Sequence, residues 1–538
     1  MSYALSHRFR VEAAGTSVVL PLTQGMEAAA GYYRAGDYPE AERCCLDLIK
    51  RDSRHFDALH LLGVVCLDRS QLADAVGYLT RAARERADDA SVHYHLGTAL
   101  LGLKLYRQAE PALRRALELR SGDLGTLNNL GNALAGMRQH QAAIECYRHV
   151  LEIFPGHAPA HYNLGRSLAA MDRLEDAVAS FRIALQATSA EPDRLVDIYS
   201  GLGEALVELG QYDDALATCH AVFAIKPEIA NWNESLILLL RGQFSDGWRK
   251  YEGRWHVADH DRPRRDARIP DLSEVAGKRI LLTCEQGLGD MIQFARYAPL
   301  LARQGAHVCL QTYPRLKALM QTLNGVDTVI ADGEREPACD IVTPLLSLPL
   351  VFGTQVDSIP AEVPYLSAPA ARLPVWERRL GQRTGPRIGL AWWGLQHMPK
   401  RSLPIEQLLP LLSLDGLEIH SLQKEVPPEQ RAWLAAHPLL FDQSEHQNDF
   451  ADAAALISLL DLVVTIDTSV AHLAGAMGKQ VWIMLPYSAD WRWLLGRSDS
   501  PWYPTARLFR QQRRGDWDGV VAEVTRALLQ MLRSGERV

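Results

Sequence analysis

Apolar positions in the first half of the chain fall at helical spacing, and the pattern repeats. Gly63, Gly97, Gly131 and Gly165 stand 34 residues apart, as do Ala41, Ala75, Ala109, Ala143 and Ala177. Around them recur segments such as "VHYHLGTALLGLKLYRQAEPALRRALELRSGD" and "LNNLGNALAGMRQHQAAIECYRHVLEIFPGH", each with two apolar-periodic stretches and a turn between them. This periodicity predicts amphipathic helices. Two antiparallel helices that cross closely need small side chains where they touch. One pair cannot bury its apolar face alone, so the units should stack. Units start near residues 22, 56, 90, 124, 158 and 196, and a degenerate one, "ESLILLLRGQFSDGWRKYEGRW", runs from about 234 to 255. Pro155 and Pro227 follow second helices, where a helix should stop. About four extra residues before Gly203 predict a lengthened turn near Ser189 to Asp193.

After Trp255 the period changes. Residues 256–277 are polar, charged and proline-containing and read as a linker. Its arginines Arg262, Arg264, Arg265 and Arg268 fit either a basic spot or a solvated connection. From Lys278 short β-rich runs alternate with helical stretches. "RILLTCE", "HVCLQTY", "TVIA" and "DIVTPL" form one set of strands, and "RIGLAWWG", "LEIHSLQ", "LVVTID" and "QVWIMLP" a second. Near-continuous apolar strands alternating with helices predict parallel sheets covered on both faces. A proline- and alanine-rich stretch separates the sets, giving lobes at 278–370 and 386–538. The expected fold class is an α-solenoid over 22–255, preceded by an N-terminal segment 1–21, and then two doubly wound α/β lobes.

Composition adds exclusions. The 538 residues are 47% hydrophobic and 22% charged, with a formal net charge of −7, which gives no electrostatic reason to expect nucleic acid as a partner. No apolar run approaches the roughly 20 residues needed to span a bilayer. The apolar stretch Ser17 to Leu22 is too short for a signal-peptide core, so a cytoplasmic location is expected. The eight cysteines form no CxxC pair and match no zinc spacing; they read as buried small hydrophobes.

Three strings carry candidate chemistry. In "CEQGLGDMIQFARY", a buried strand ends at Glu285 and a glycine-rich turn, Gln286, Gly287 and Gly289 among its residues, opens a helix near Asp290. Doubly wound folds bind ligands beyond the carboxyl ends of their strands, and glycines let a backbone approach closely. A tight turn with a capping aspartate explains the bare pattern equally. In "TIDTSVAHLAGAMGKQVWIMLP", a strand runs into Asp467, Thr468 and Ser469, and His472 lies one turn into the following helix. Backbone N–H groups at such a helix start suit an anion such as a diphosphate, and a capped helix with a packed histidine is the alternative. In "WWGLQHMPKRSLP", which follows the first strand of the second lobe, Lys400 and Arg401 are candidate anion-binding cations with Ser402 as a hydroxyl partner and His397 a weaker candidate, or an ordinary exposed basic turn. Lesser candidates are Ser421 to Lys424, Asp449 (beside a nucleotide, or a helix cap), and Trp491, Trp493 and Trp502, which read equally as stacking rings or as core.

The first half resembles the tetratricopeptide repeat, which implies a protein or peptide partner. Asn129 and Asn163 occupy equivalent first-helix positions. In the similar protein O-GlcNAc transferase layout, asparagines there contact the acceptor backbone, while solvated polar residues are the plainer reading. The two strings around Asp290 and His472 resemble heptosyltransferase-like glycosyltransferases (family 9), alone and fused to tetratricopeptide repeats. That resemblance implies the two-lobed GT-B architecture and an inverting, metal-independent transfer from a nucleotide-sugar, with no cofactor and no metal. Asp290 matches the family's proposed general base. Lys400, Arg401, Ser402, Asp467, Thr468, Ser469 and His472 would form the donor phosphate site, and Gln286, Gly287 and Gly289 a substrate loop. "DTS" stands where O-GlcNAc transferases carry "HTT", so the second half looks closer to the heptosyltransferases. The alternative is a non-catalytic scaffold with a degenerate transferase domain.

Overall fold

The computed structural model describes residues 10–13, 16–19, 22–188, 191–256, 266–394, 401–437 and 439–534. The chain divides into two units, Met1–Leu209 and Gly210–Val538.

In the first unit a short antiparallel hairpin, β1 (Arg10–Ala13) and β2 (Thr16–Val19), precedes a helical solenoid. First helices such as Ala90–Gly102, Leu124–Gly136 and Ala158–Ala170 alternate with second helices such as Tyr106–Leu119, His140–Ile153 and Leu174–Ala187. The glycine ladder sits where the two helices of a pair cross. A Cβ on Gly63, Gly97 or Gly131 would stand 2.5 Å from Leu79, Leu113 or Tyr147, and one on Gly165 2.8 Å from Phe181. The ladder alanines Ala41, Ala75, Ala109, Ala143 and Ala177 are fully buried. First helices are capped at the same period: Asp89 and Asp123 carboxylates accept backbone N–H groups, and His55 and His157 accept through Nδ1. Helix Pro192–Glu208 has 17 residues where the other first helices have 13, so at least part of the expected insertion is taken up as added helix. Ser189 and Ala190 lie outside the described residues.

The second unit begins with helices Tyr212–Phe223, Pro227–Leu240 and Phe244–Tyr251 and a 3-10 turn, Glu252–His256. These carry the degenerate last unit of the repeat pattern, yet Leu239, Phe244, Trp248 and Tyr251 belong to the same buried cluster as Ile280, Phe294, Trp491 and Trp502 of the α/β region.

The first sheet orders its four parallel strands β5 (Thr328–Ala331), β4 (His307–Thr312), β3 (Arg279–Thr283) and β6 (Ile341–Pro344). The second is six-stranded: β12 (Ala506–Arg510), β11 (Val481–Leu485), β10 (Leu462–Ile466), β7 (Arg387–Ala391), β8 (Glu418–Ser421) and β9 (Leu440–Asp442). The edge strands β9 and β12 were not among the eight expected. In both sheets the chain winds outward in one direction and then returns to the other side of its first strand. The resulting switch points lie between β3 and β6 and between β7 and β10, and such points are where open α/β sheets form ligand crevices.

Among the described residues no helix is long and apolar enough to cross a membrane. All eight cysteines are free and buried or half-buried.

Candidate functional site

The second sheet's switch point is lined by two of the three strings. β7 runs into Trp392-Trp393-Gly394, and β10 into Asp467-Thr468 and the helix Ser469–Ala476. The loop after β7 is pinned at both ends. Gln423 accepts the Trp393 N–H at 3.0 Å and donates to the Trp393 carbonyl at 3.0 Å, and Ser402 Oγ accepts the Gly394 N–H at 3.1 Å. Ser402 is therefore a buried loop-shaping hydroxyl. A Cβ on Gly394 would lie 3.8 Å from Ser402 and 3.9 Å from Thr468, so loop and helix start are in van der Waals reach. Lys400 and His397 lie outside the described residues.

Thr468 is the N-cap of helix Ser469–Ala476. Its hydroxyl accepts the Val470 N–H at 3.3 Å and its carbonyl the Ala471 N–H at 3.0 Å, so two amides of that helix start are committed within the chain. Ser469, half-buried, opens the helix.

A chain of charges links the strings. Arg401 lies 3.0 Å from Asp467 and 3.0 Å from Asp490. Asp490 holds Arg492 at 2.8 Å. Arg492 donates through Nε to Gln293 at 2.7 Å and is ion-paired with Asp290. Asp290 also accepts the Gly287 N–H at 2.8 Å, so both of its oxygens are engaged. Asp467, Arg401, Asp490, Arg492 and Asp290 thus run from the second sheet's switch point to the helix after β3.

Burial and charge set the protonation of this chain. Burial pushes Asp467 above the usual carboxylate range, and Arg401 only partly offsets it. Burial acts the same way on Asp490, but Arg492 and Arg401 outweigh it and hold its carboxyl well below that range. For Arg492, burial opposes the charge, while Asp490 and Asp290 overcome it and raise its pKa further. Three carboxylates then face two guanidiniums, and Asp467 is the one disposed to carry a proton.

His472 is buried. Its Nδ1 shares a 2.9 Å hydrogen bond with the Tyr503 hydroxyl, and its ring stacks on Trp493 at 5.5 Å. Burial, with Arg492 nearby, pushes its pKa down to about 3, so the ring is neutral and supplies no positive charge to a phosphate. Gly289 packs against it: a Cβ there would meet His472 Cδ2 at 2.8 Å and the Ser469 Cα at 3.5 Å. Instead of standing apart across a cleft at this point, the lobes touch. Helix Leu288–Phe294 of the first lies on helix Ser469–Ala476 of the second.

Trp491, Trp493 and Trp502 are all buried and belong to the core. Asp449 is the N-cap of helix Phe450–Ser458, accepting the Asp452 N–H at 3.0 Å, and pairs with Arg372 at 3.1 Å. Ser421 accepts the Gln423 N–H at 3.2 Å, and Lys424 donates to the Ser444 carbonyl at 3.0 Å. Asn129 and Asn163 are half-buried and bond to the preceding repeat, to Thr98 at 3.0 Å and Asn128 at 3.2 Å. Of the linker arginines, Arg268 is paired with Glu274, and Arg262, Arg264 and Arg265 lie outside the described residues. Among the described residues no group of three or more His, Cys, Asp or Glu is placed to hold a metal ion.

Sequence reasoning did not single out Asp490, Arg492 or Gln293. A signal for Arg492 was present: an arginine between two tryptophans that enter the core cannot be solvated and needs a carboxylate partner.

Residues 27–90, 67–123 and 128–192 match the tetratricopeptide repeat family. The N-terminal solenoid is built of tetratricopeptide repeats. Protein FlbA of Caulobacter vibrioides is 26% identical over 370 residues, covering 61% of this chain and 61% of that protein. The chain therefore spans less than two thirds of the length of that curated relative. Solved structures similar to the solenoid include the MamA protein, 26% identical over 31% of this chain and 91% of that one with a TM-score of 0.29. Another is YrrB, described as a tetratricopeptide repeat protein with an unusual peptide-binding site, 25% identical over 33% of this chain and 89% of that one with a TM-score of 0.30.

Proposed function

We propose that the chain is a glycosyltransferase whose two α/β lobes form a GT-B domain and whose repeats recruit a protein acceptor. The observation that carries this reading is the charge chain from Asp467 to Asp290. It joins the switch point of a doubly wound sheet, where such folds bind nucleotides, to an aspartate of the opposite lobe. A nucleotide-sugar would set its diphosphate near Arg401, Thr468 and Ser469, with Lys400 as a further cation. Arg401 and Arg492 are held by carboxylates in this form. An arriving diphosphate competes for them, and that exchange frees Asp290.

The acceptor hydroxyl oxygen then attacks the anomeric carbon. Its proton passes to Asp290, and the bond from that carbon to the diphosphate oxygen breaks, so the nucleoside diphosphate leaves with the electron pair. Inversion follows from attack opposite the leaving group. His472, neutral and buried, shapes the contact between the lobes instead of neutralising charge.

The complete pairing of the charge chain also favours a second reading, a scaffold in which the α/β lobes no longer bind donor. A thermal-shift screen of the full chain against UDP-, GDP-, ADP-, CMP- and dTDP-sugars without added metal separates the two. A selective rise in melting temperature that Arg401→Ala abolishes supports the transferase. No shift with any of the donors supports the scaffold.

A further inference from the structure

Gln286 stands at φ +58, a left-handed conformation that a non-glycine side chain holds only where its surroundings over-determine it. Two hydroxyls hold it, one from the end of the degenerate repeat and one from the loop after β4. The Tyr251 hydroxyl donates to Gln286 Oε1 at 3.2 Å, and the Tyr313 hydroxyl to the Gln286 carbonyl at 2.6 Å. Next to it, Glu285 is gripped by Arg254 through two bonds of 2.8 and 3.1 Å and accepts the Leu346 N–H at 3.0 Å, at the switch point between β3 and β6. Arg254 is fully buried and also donates to Ser347 at 2.8 Å and Glu252 at 2.6 Å.

A buried ion pair is weak evidence for stability, since a packed apolar pair often serves as well. What this one supplies is a single orientation of the strand end. The turn it fixes presents the Gly287 N–H that holds the Asp290 carboxylate. Helix Phe244–Tyr251 also braces Arg492, the ion-pair partner of Asp290. Trp248 and Tyr251 pack on Trp491 at 5.3 and 6.1 Å, and Trp491 adjoins Arg492.

Resting on the transferase reading above, we infer that Tyr251 and Arg254, from the last turn of the repeat-like region, are positioning residues for Asp290. Helix Phe244–Tyr251 and the 3-10 turn Glu252–His256 that ends the repeat pattern are then a working part of the transfer site. The Tyr251 hydroxyl and the Arg254 guanidinium decide where the base points.

The test uses the full chain with Tyr251→Phe and Arg254→Lys. Amide hydrogen exchange in residues 285–290 is expected to accelerate about tenfold or more, while β10 and β11 exchange as in the parent. In nucleotide-sugar consumption, kcat should fall by about 10- to 100-fold with the donor KM nearly unchanged. Unchanged exchange at 285–290 overturns the inference. So does acceleration spread evenly over the unit, which marks a merely structural role. If the parent chain consumes none of the five donors, the transferase reading falls, and the exchange pattern still decides whether these residues position Asp290.

Discussion

Gly289 and His472 meet where the two lobes touch, and a Cβ on residue 289 would stand 2.8 Å from the imidazole Cδ2. The glycine is needed here for close approach, as its neighbour Asp290 must come within reach of Arg492. The imidazole cannot swing aside, because Tyr503 bonds it and Trp493 stacks on it.

Gly289→Ala is therefore expected to destabilise the second unit by about 1–3 kcal/mol, the usual range for overpacking. Urea unfolding reads this directly. A midpoint equal to that of the parent would mean the helices do not meet as described, and His472→Ala added to Gly289→Ala should recover part of the loss.

Arg492→Met leaves Asp490 and Asp290 facing each other without their shared cation. A loss of about 3–5 kcal/mol is expected, as for breaking a buried pair. Arg492→Lys should restore little of it, because one ammonium cannot span two carboxylates and Gln293 as the fork does. A double-mutant cycle of Arg492→Met with Asp290→Asn should show coupling above about 0.5 kcal/mol; simple additivity would count against the pair.

His472 gives a pH signature. Its pKa falls to about 3 in the folded chain, below the roughly 6.5 of a free imidazole. Between those values the unfolded chain binds the extra proton, so this residue's contribution to stability is complete above pH 6.5 and is lost as pH falls, by about 1.4 kcal/mol per unit. The ring signal of His472 in labelled protein should not titrate from pH 8 to about 4.5. A midpoint near 6.5 would contradict its burial against Trp493.

Asp290→Asn is expected to lower turnover by orders of magnitude while leaving nucleotide affinity largely intact. Isothermal titration beside product assays measures both. Equal losses in the two would remove Asp290 from the role of base.

Two glycines of the solenoid should respond in opposite directions. Gly131→Ala brings a Cβ within 2.5 Å of Tyr147 and should destabilise by about 1–3 kcal/mol. Gly77, inside helix Leu72–Glu85, has nothing within 4 Å, so Gly77→Ala should stabilise by about 0.5–1 kcal/mol. Matching effects at the two positions would mean the crossing point is misassigned.

The repeat was legible because one physical need, a small residue at each helix crossing, recurs at a fixed period. The central strands were legible because burial on both faces leaves continuous apolar runs. β9 and β12 were not: β9 has three residues with Phe441 half-exposed, and β12 alternates buried and exposed positions. The string around Asp290 was visible, but its partner Arg492 lies 202 residues further on, and no local period records such a contact. The arginine's context was visible only as a segment rich in tryptophan. Likewise, the 34-residue spacing shows where helices cross but not that Tyr251 and Trp248 turn their rings toward the α/β core.

The shared aromatic core of residues 244–251 and 491–502 bears on how such a chain can be cut or recombined. The repeat pattern invites a boundary at its own end, near residue 255. A fragment begun there would leave Trp491 and Trp502 without Phe244, Trp248 and Tyr251, baring a broad apolar face that favours aggregation. The final helices must be inherited together with the lobes they cover, whatever their ancestry as repeats.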